Sequence, residues 1–146
     1  MITDRRKQPM DLNFVTADTR DFDPRTYISI LVAIAKADKE NGPPEFDFVR
    51  RQAEYLGLDS DYFFRNIDQH FVIQRKNVTR LTALVILKDA ILLASLDKNF
   101  SLPERMKVYT YAEALDISRN DVDALVELIG EYRNLESRWQ ELISVD

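Results

Sequence analysis

The sequence predicts an all-α fold, a compact helical bundle of about six helices built from a duplicated three-helix unit. Only three glycines and five prolines interrupt a chain rich in leucine, alanine and glutamate, and this composition favours helices over turn-rich β structure. Apolar residues recur at helical spacing in several segments. In addition, segment 30–45 resembles the later segment that ends at Glu104, and such internal similarity is typical of repeated structural units.

The composition bounds the domain organisation and excludes several function classes. A chain of 146 residues with 45% hydrophobic residues has the size and the apolar content of one domain with its own core. The formal net charge of −5 argues against a nucleic-acid binder, because such proteins usually present a basic surface. The chain has no cysteine, so disulfides and thiolate metal sites are excluded, and we expect a cytoplasmic protein.

We divide the chain into an N-terminal arm, residues 1–22, and a helical domain, residues 23–146. The arm mixes charged residues with isolated apolar ones, so we expect it to be loose or to lie on the surface. It contains no apolar segment of the kind that forms a signal peptide. The most apolar segment, 81–96, contains Lys88 and Asp89 and is shorter than the ~20 residues that cross a bilayer, so it predicts a buried helix rather than membrane insertion.

The first helix is marked at both ends. Asp23 and Pro24 form a typical helix start, an N-cap acid followed by a proline at the first helical position. The helix should stop near Asp38, because the Asn-Gly-Pro-Pro segment 41–44 cannot continue it. Its apolar face consists of Tyr27, Ile28, Leu31, Ile34 and Ala35.

The second and third helices follow directly. The second starts within segment 41–44 and ends at Gly57, which is a typical C-cap residue. One side of it carries Phe48, Val49, Gln52, Ala53 and Leu56. The third helix is capped by Asp59 or Ser60. This helix should carry Tyr62, Phe63, Ile67, Phe71 and Val72.

The second half of the chain repeats this plan. Segment 81–96 forms helix four and is apolar on most of its circumference, as expected of a helix that is surrounded by others. Helix five follows the acidic joint. Helix six begins after Ser118, an N-cap with Asp121 at the third helical position, and extends to Ile143 with a weakening at Gly130.

The two halves match at a constant offset of 59 residues, as in 97 − 38 and 104 − 45. The matched pairs at this offset include Ala35 with Ala94, Lys39 with Lys98, Pro44 with Pro103, Val49 with Val108, Ala53 with Ala112, Glu54 with Glu113 and Leu56 with Leu115. So many coincidences at one offset indicate a duplicated unit, and the two halves should share one core because each is too short to bury much apolar surface alone.

Each half contains a joint of the pattern Asp-Lys-x-x-(Gly or Ser)-x-Pro-Glu between its first two helices. In the second joint, Ser101 is an N-cap, Pro103 lies in the first turn and Glu104 closes a capping box. This structural role is sufficient to explain Glu104, and by analogy Glu45. The aspartates before them, Asp38 and Asp97, lie at helix C-termini, where the helix dipole disfavours a carboxylate.

Metal binding is the alternative interpretation of these joints. Ca²⁺ and Mg²⁺ prefer clustered oxygen ligands, and they are the candidate cofactors. The candidate ligands are Asp38, Glu45, Asp97 and Glu104, which Glu40, Asn41, Asn99 and Ser101 could supplement. The joints are too short for an EF-hand loop. If helices one and four are parallel, the two joints share one end of the bundle and could form a common acidic site.

The pattern AxADKxxxxPE of residues 35–45, which is followed by a helix and then LGL and has a second copy at residues 94–104, resembles the tellurite-resistance TerB family and the TerB-like domains. The resemblance covers the chain from Asp23 to the C-terminus. The family usually has Asp-Gly where this chain has Asp38-Lys39 and Asp97-Lys98. The resemblance implies an all-α bundle, a metal bound by the acids that match the family pattern, and a protein partner in membrane-linked stress-response complexes. It implies no enzymatic activity.

Three further features are candidates for function. Lys88 and Asp89 interrupt the most buried helix, and because adjacent residues point in different directions we expect each to reach the rim or another helix. Asp89 is therefore the second candidate for a functional acid. His70, the only histidine, is expected on a helix surface with no catalytic partner. Trp139, with Tyr132 and Leu135, is expected in the core rather than in an exposed docking stripe.

The sequence leaves two candidate functions. The first is a non-enzymatic TerB-like binding or scaffold module, which would be metal-responsive if the joints bind a cation. The second is a metal-dependent hydrolase that uses the joint carboxylates. The chain has no nucleophile, base or phosphate loop at a diagnostic spacing, so we favour the binding module. The sequence leaves the oligomeric state open.

Overall fold

The computed structural model describes residues 22–37, 43–75, 78–96 and 100–144. Within these ranges the chain is all-helical, as the sequence predicts. The helices are α1 (Pro24–Ala37), α2 (Pro43–Tyr55), α3 (Ser60–Asn66), α4 (Arg80–Ala94), α5 (Leu102–Ala114) and α6 (Arg119–Ile143). Among the described residues, no helix combines the length and the apolar character that crossing a bilayer requires.

Short polar side chains at N-caps fix the starts of four helices. Ser101 caps α5 and Ser118 caps α6, as the sequence predicts, and Thr79 caps α4. Of the two residues predicted as candidates for the cap of α3, it is Asp59 that caps the helix. Each side chain accepts a hydrogen bond from a backbone N–H of the first turn, which would otherwise lack a helical partner. At α5 the capping box is complete, because the Glu104 carboxylate also accepts from the Ser101 backbone N–H.

Helices α1 and α4 form the centre of the bundle. Every residue of α1 from Tyr27 to Ala35 is buried, and α1 packs against α2, α3, α4 and α5. Helix α4 is buried along most of its length and packs against α1, α2, α5 and α6. A helix surrounded in this way needs apolar residues around its whole circumference, which explains the continuous apolar segment in the sequence.

The ends of α2 and α5 have the same geometry. Gly57 and Asp116 both adopt positive φ angles, 71° and 63°. After each of them the chain turns back, so that the N–H three residues beyond the last helical residue donates to a carbonyl in the last turns of the helix. These bonds join Leu58 N to Ala53 O and Ile117 N to Ala112 O, both at 2.8 Å. A left-handed residue is a common way to end a helix, and glycine adopts it without a Cβ penalty.

The third helix is shorter than the sequence predicts, so the prediction that it includes Ile67, Phe71 and Val72 was wrong. Helix α3 ends at Asn66, and Ile67 has extended dihedral angles. The ammonium group of Lys36 on α1 donates to the carbonyls of Phe64 and Ile67, so carbonyls at the end of α3 have a partner outside the helix. The backbone N–H of His70 donates to the Asp68 carboxylate at 2.8 Å, which fixes a turn there. His70 is therefore exposed in a turn and not on a helix.

Helix α6 runs through Gly130 without interruption and reaches Ile143. The guanidinium of Arg133 anchors it to the last turn of α4, where it donates to the carbonyls of Leu92 and Ser95. The prediction that Trp139 and Leu135 belong to the core was wrong: their exposed fractions are 36% and 40%. The sequence pattern of α6 contains two apolar faces, and the other described helices cover only one of them.

Candidate functional site

A cleft opens between α1, α2 and α4, three helices that pack against one another in the bundle. It has a volume of about 420 Å³, which lies in the range of small-molecule sites. Nine residues line it: Tyr27 from α1; Phe48, Arg51, Gln52 and Tyr55 from α2, with Leu56 just beyond it; and Lys88, Asp89 and Leu92 from α4.

The floor of the cleft is a cluster of polar side chains. The Tyr27 hydroxyl donates to Asp89 Oδ2 at 2.8 Å, and Gln52 Oε1 lies 3.5 Å from the same hydroxyl. On its other oxygen, Asp89 forms an ion pair with Lys88 at 3.1 Å. The prediction that each of these residues reaches the rim or another helix was therefore wrong for Lys88, which pairs with its neighbour, whereas Asp89 does reach Tyr27 on α1. The long, flexible stem of the lysine carries its ammonium group around the helix to the neighbouring carboxylate.

Burial dominates the electrostatics of this cluster. The side chains of Lys88 and Asp89 expose only 10% and 12% of their surface. Burial raises the pKa of Asp89 above its ordinary value, while the charge of Lys88 and the hydrogen bonds from Tyr27 and Lys88 oppose that rise. Burial, with the adjacent Asp89 carboxylate, also raises the pKa of Tyr27, so this hydroxyl stays protonated and remains a hydrogen-bond donor.

The mouth of the cleft is apolar and positively charged. Tyr55 exposes 78% of its surface there, and Phe48 and Leu92 are half-buried on the walls. Arg51 is exposed at the rim. The charged residues of the lining are Arg51, Lys88 and Asp89, so the cleft has one excess positive charge although the whole chain has a net charge of −5. The lining of the cleft therefore has a net charge of opposite sign to that of the whole chain.

The structure describes two of the four acids predicted at the joints. Glu45 and Glu104 are buried, with exposed fractions of 2% and 1%, in the first turns of α2 and α5. Glu104 Oε1 accepts from the Ser101 N–H at 3.1 Å and from the Ser101 hydroxyl at 2.8 Å, which is the predicted capping role. Asp38 and Asp97 lie outside the described residues. Within the described ranges, no three acidic or histidine side chains come together as a metal site would require. The predicted metal site stays a prediction.

Tyr27 and Gln52 were not identified as site residues from the sequence. Both lie on helix faces that the apolar spacing assigns to the core. The available signal was their polarity. A tyrosine hydroxyl or a glutamine amide on an otherwise apolar face needs a hydrogen-bond partner when buried, and Asp89 needed one for the same reason. Three polar groups on buried faces of neighbouring helices could have been expected to meet.

Comparison of the chain with protein-family models, curated proteins and solved structures finds no match. The resemblance to the TerB family therefore stays a prediction from the sequence motif.

Proposed function

We propose that this chain is a non-enzymatic, TerB-like binding module whose ligand site is the cleft between α1, α2 and α4. The observation that carries the proposal is the combination of a polar floor and an apolar mouth in one cavity. Small-molecule sites combine apolar walls, which supply affinity, with a few polar groups, which orient the ligand. The floor here is held on both sides, since Tyr27 and Lys88 each contact Asp89.

The charge of the lining indicates the class of ligand. Lys88 forms an ion pair with Asp89 in the floor of the cleft. Arg51 is the positively charged residue at the rim, where a ligand would enter. A guanidinium binds carboxylate, sulfonate or phosphate groups through several donors at once. Phe48 and Tyr55 offer aromatic surface to the rest of the ligand. The proposed ligand is thus a small amphipathic anion with an apolar body.

Fluorescence titration with 8-anilinonaphthalene-1-sulfonate tests the site, because this probe combines an aromatic body with an anionic sulfonate. The proposal predicts saturable binding of one probe molecule per chain. Arg51→Glu should weaken binding roughly tenfold, since it replaces attraction with repulsion at the rim. Leu92→Trp should weaken it further, because the larger ring fills the cleft.

Arg50→Glu is the matched control. Arg50 is the neighbouring residue on α2, but it faces Asp47 and the Phe64 ring and does not line the cleft. It changes the net charge by the same amount as Arg51→Glu and should leave probe binding unchanged. Equal effects of Arg50→Glu and Arg51→Glu, or the absence of saturable binding to the folded wild type, would overturn the proposal.

We also propose that the bundle consists of two copies of a three-helix unit, α1–α3 and α4–α6. In support, the bounds of α2 and α5 differ by 59 residues at both ends, and α3 and α6 begin 59 residues apart. The left-handed residues Gly57 and Asp116 have the same offset. A crystal structure tests this proposal by superposition of the two halves. Failure of α1 and α2 to superpose on α4 and α5 in one rigid alignment would contradict it.

A further inference from the structure

Helix α6 carries an apolar stripe that the other described helices leave uncovered. The stripe consists of Leu128, Tyr132, Leu135, Trp139 and Leu142, with alternating spacings of four and three residues. The three leucines expose 51%, 40% and 69% of their surface and the tryptophan 36%, while the tyrosine is half-buried. Alternating spacings of three and four along a helix are the signature of a seam that packs against another helix.

The stripe lies to one side of the face that α6 presents to its own bundle. Val122 and Ile129 are buried, and Arg133 contacts α4, so these residues mark the inner face. At 3.6 residues per turn, the centre of the stripe lies roughly 120° around the helix axis from that face. A second helix could therefore pack along the stripe while α6 keeps its contacts with α4 and α5.

Two charged residues beside the stripe are complementary to each other. Glu131 and Arg138 are both exposed and flank the stripe on the edge away from the bundle. In an antiparallel pair of α6 helices whose two-fold axis passes between residues 133 and 134, the Glu131 of each copy lies opposite the partner's Arg138. The same register places Tyr132 against the partner's Leu135, and Leu128 against the partner's Trp139. Each contact occurs twice, so the surface is complementary to itself.

We infer that this stripe binds a second copy of the chain and forms an antiparallel α6–α6 dimer. A parallel pair in register would place Glu131 opposite the partner's Glu136, two like charges at flanking positions, which disfavours that orientation. The interface consists of one helix per chain, so it is smaller than most permanent interfaces, and we expect a dimer in the micromolar range.

Sedimentation equilibrium of the 146-residue chain tests the association directly. The wild type should show a reversible monomer–dimer equilibrium. Leu135→Glu, at the centre of the stripe, should yield a monomer at every concentration where the wild type is dimeric, because it places two carboxylates in the apolar seam. The matched control is Leu81→Glu on α4, an equally drastic change at a leucine that is 60% exposed and lies off the stripe. It should dimerise like the wild type.

Charge reversal tests the orientation of the helices. Glu131→Arg and Arg138→Glu should each weaken self-association on the order of tenfold, since each turns two attractive pairs into two repulsive ones. A mixture of these two single variants restores both attractive pairs and should form a heterodimer with near wild-type affinity. The double variant E131R/R138E should self-associate like the wild type for the same reason.

The outcomes separate this inference from its alternatives. A wild type that stays monomeric at the highest attainable concentration overturns it, and so does a Leu135→Glu variant that still dimerises. Charge-reversal variants that fail to form the heterodimer, while the wild type dimerises, overturn the antiparallel register. Circular dichroism of each variant confirms that the helices remain folded. None of these substitutions touches the cleft, so the dimer can fail while the proposed ligand site stands.

Discussion

The hydrogen bond between Tyr27 and Asp89 should stabilise the fold by an amount that depends on pH. Tyr27→Phe removes the hydroxyl that donates to Asp89 Oδ2 at 2.8 Å and leaves the ring in place. Both residues are buried, with exposed fractions of 1% and 8%. A buried hydrogen bond to an ionised acceptor contributes about 2 kcal/mol, so we expect the melting temperature to fall by about 4–8 °C.

The sign of the pH dependence follows from the pKa of Asp89. Burial raises this pKa in the folded state, and the bond from Tyr27 lowers it again in part. In the Tyr27→Phe variant, the pKa of Asp89 in the folded state is therefore higher than in the wild type. The stabilisation by the bond is fully present above both folded pKa values and declines as the pH falls through them. At a pH below both pKa values, the Tyr27 hydroxyl faces a neutral carboxyl group. The loss in free energy of unfolding caused by the substitution should then fall to about 1 kcal/mol.

Urea denaturation at a series of pH values from about 9 to about 4 measures this effect. Tyr111→Phe is the matched control, because the Tyr111 hydroxyl is also buried but donates to the backbone carbonyl of Phe71. Its acceptor does not titrate, so its cost of about 1 kcal/mol should stay constant. The reasoning is refuted if the two substitutions show the same pH profile, or if Tyr27→Phe is no more costly than Tyr111→Phe at high pH.

Three further predictions concern the caps, the glycines and the joints. Ser101→Ala removes the N-cap of α5 and should cost about 1 kcal/mol in urea denaturation. Gly57→Ala should destabilise the protein by about 1 kcal/mol because Gly57 has a φ of +71°, whereas Gly130→Ala should stabilise it by about 0.5–1 kcal/mol because Gly130 is helical and a Cβ there meets no atom within 4 Å. In thermal-shift assays, the metal hypothesis predicts that Ca²⁺ or Mg²⁺ raises the melting temperature of the wild type and not that of Asp38→Asn/Asp97→Asn; no shift in the wild type would remove it.

The sequence predicted those helix ends that depend on local chemistry. Asp59, Ser101 and Ser118 were identifiable because an N-cap needs only a short polar side chain and the N–H groups that follow it. The end of α3 was not predictable in this way. Lys36, about thirty residues earlier in the chain, binds the carbonyls at that end, and such a contact exists only once α1 has packed against α3.

Of the residues in the candidate site, the sequence pointed to the charged ones on α4. Asp89 was conspicuous because a carboxylate in an apolar helix must find a partner. Its partner Tyr27 is spaced like a core residue, and which hydroxyl meets which carboxylate depends on how α1 crosses α4. The exposed position of Trp139 was missed for a similar reason. Helical spacing shows that a face is apolar, but it does not show whether another helix covers that face.

The position of α4 has a consequence for how the protein opens. Although α4 belongs to the second half of the sequence, it packs against α1 and α2 as well as against α5 and α6. Neither half can separate from the other without exposing α4 to water. The backbone amides of α4 and of the buried part of α1 should therefore exchange with deuterium only when the whole domain unfolds. The amides at the end of α6, beyond Arg133, can exchange through local fraying and should be the faster ones.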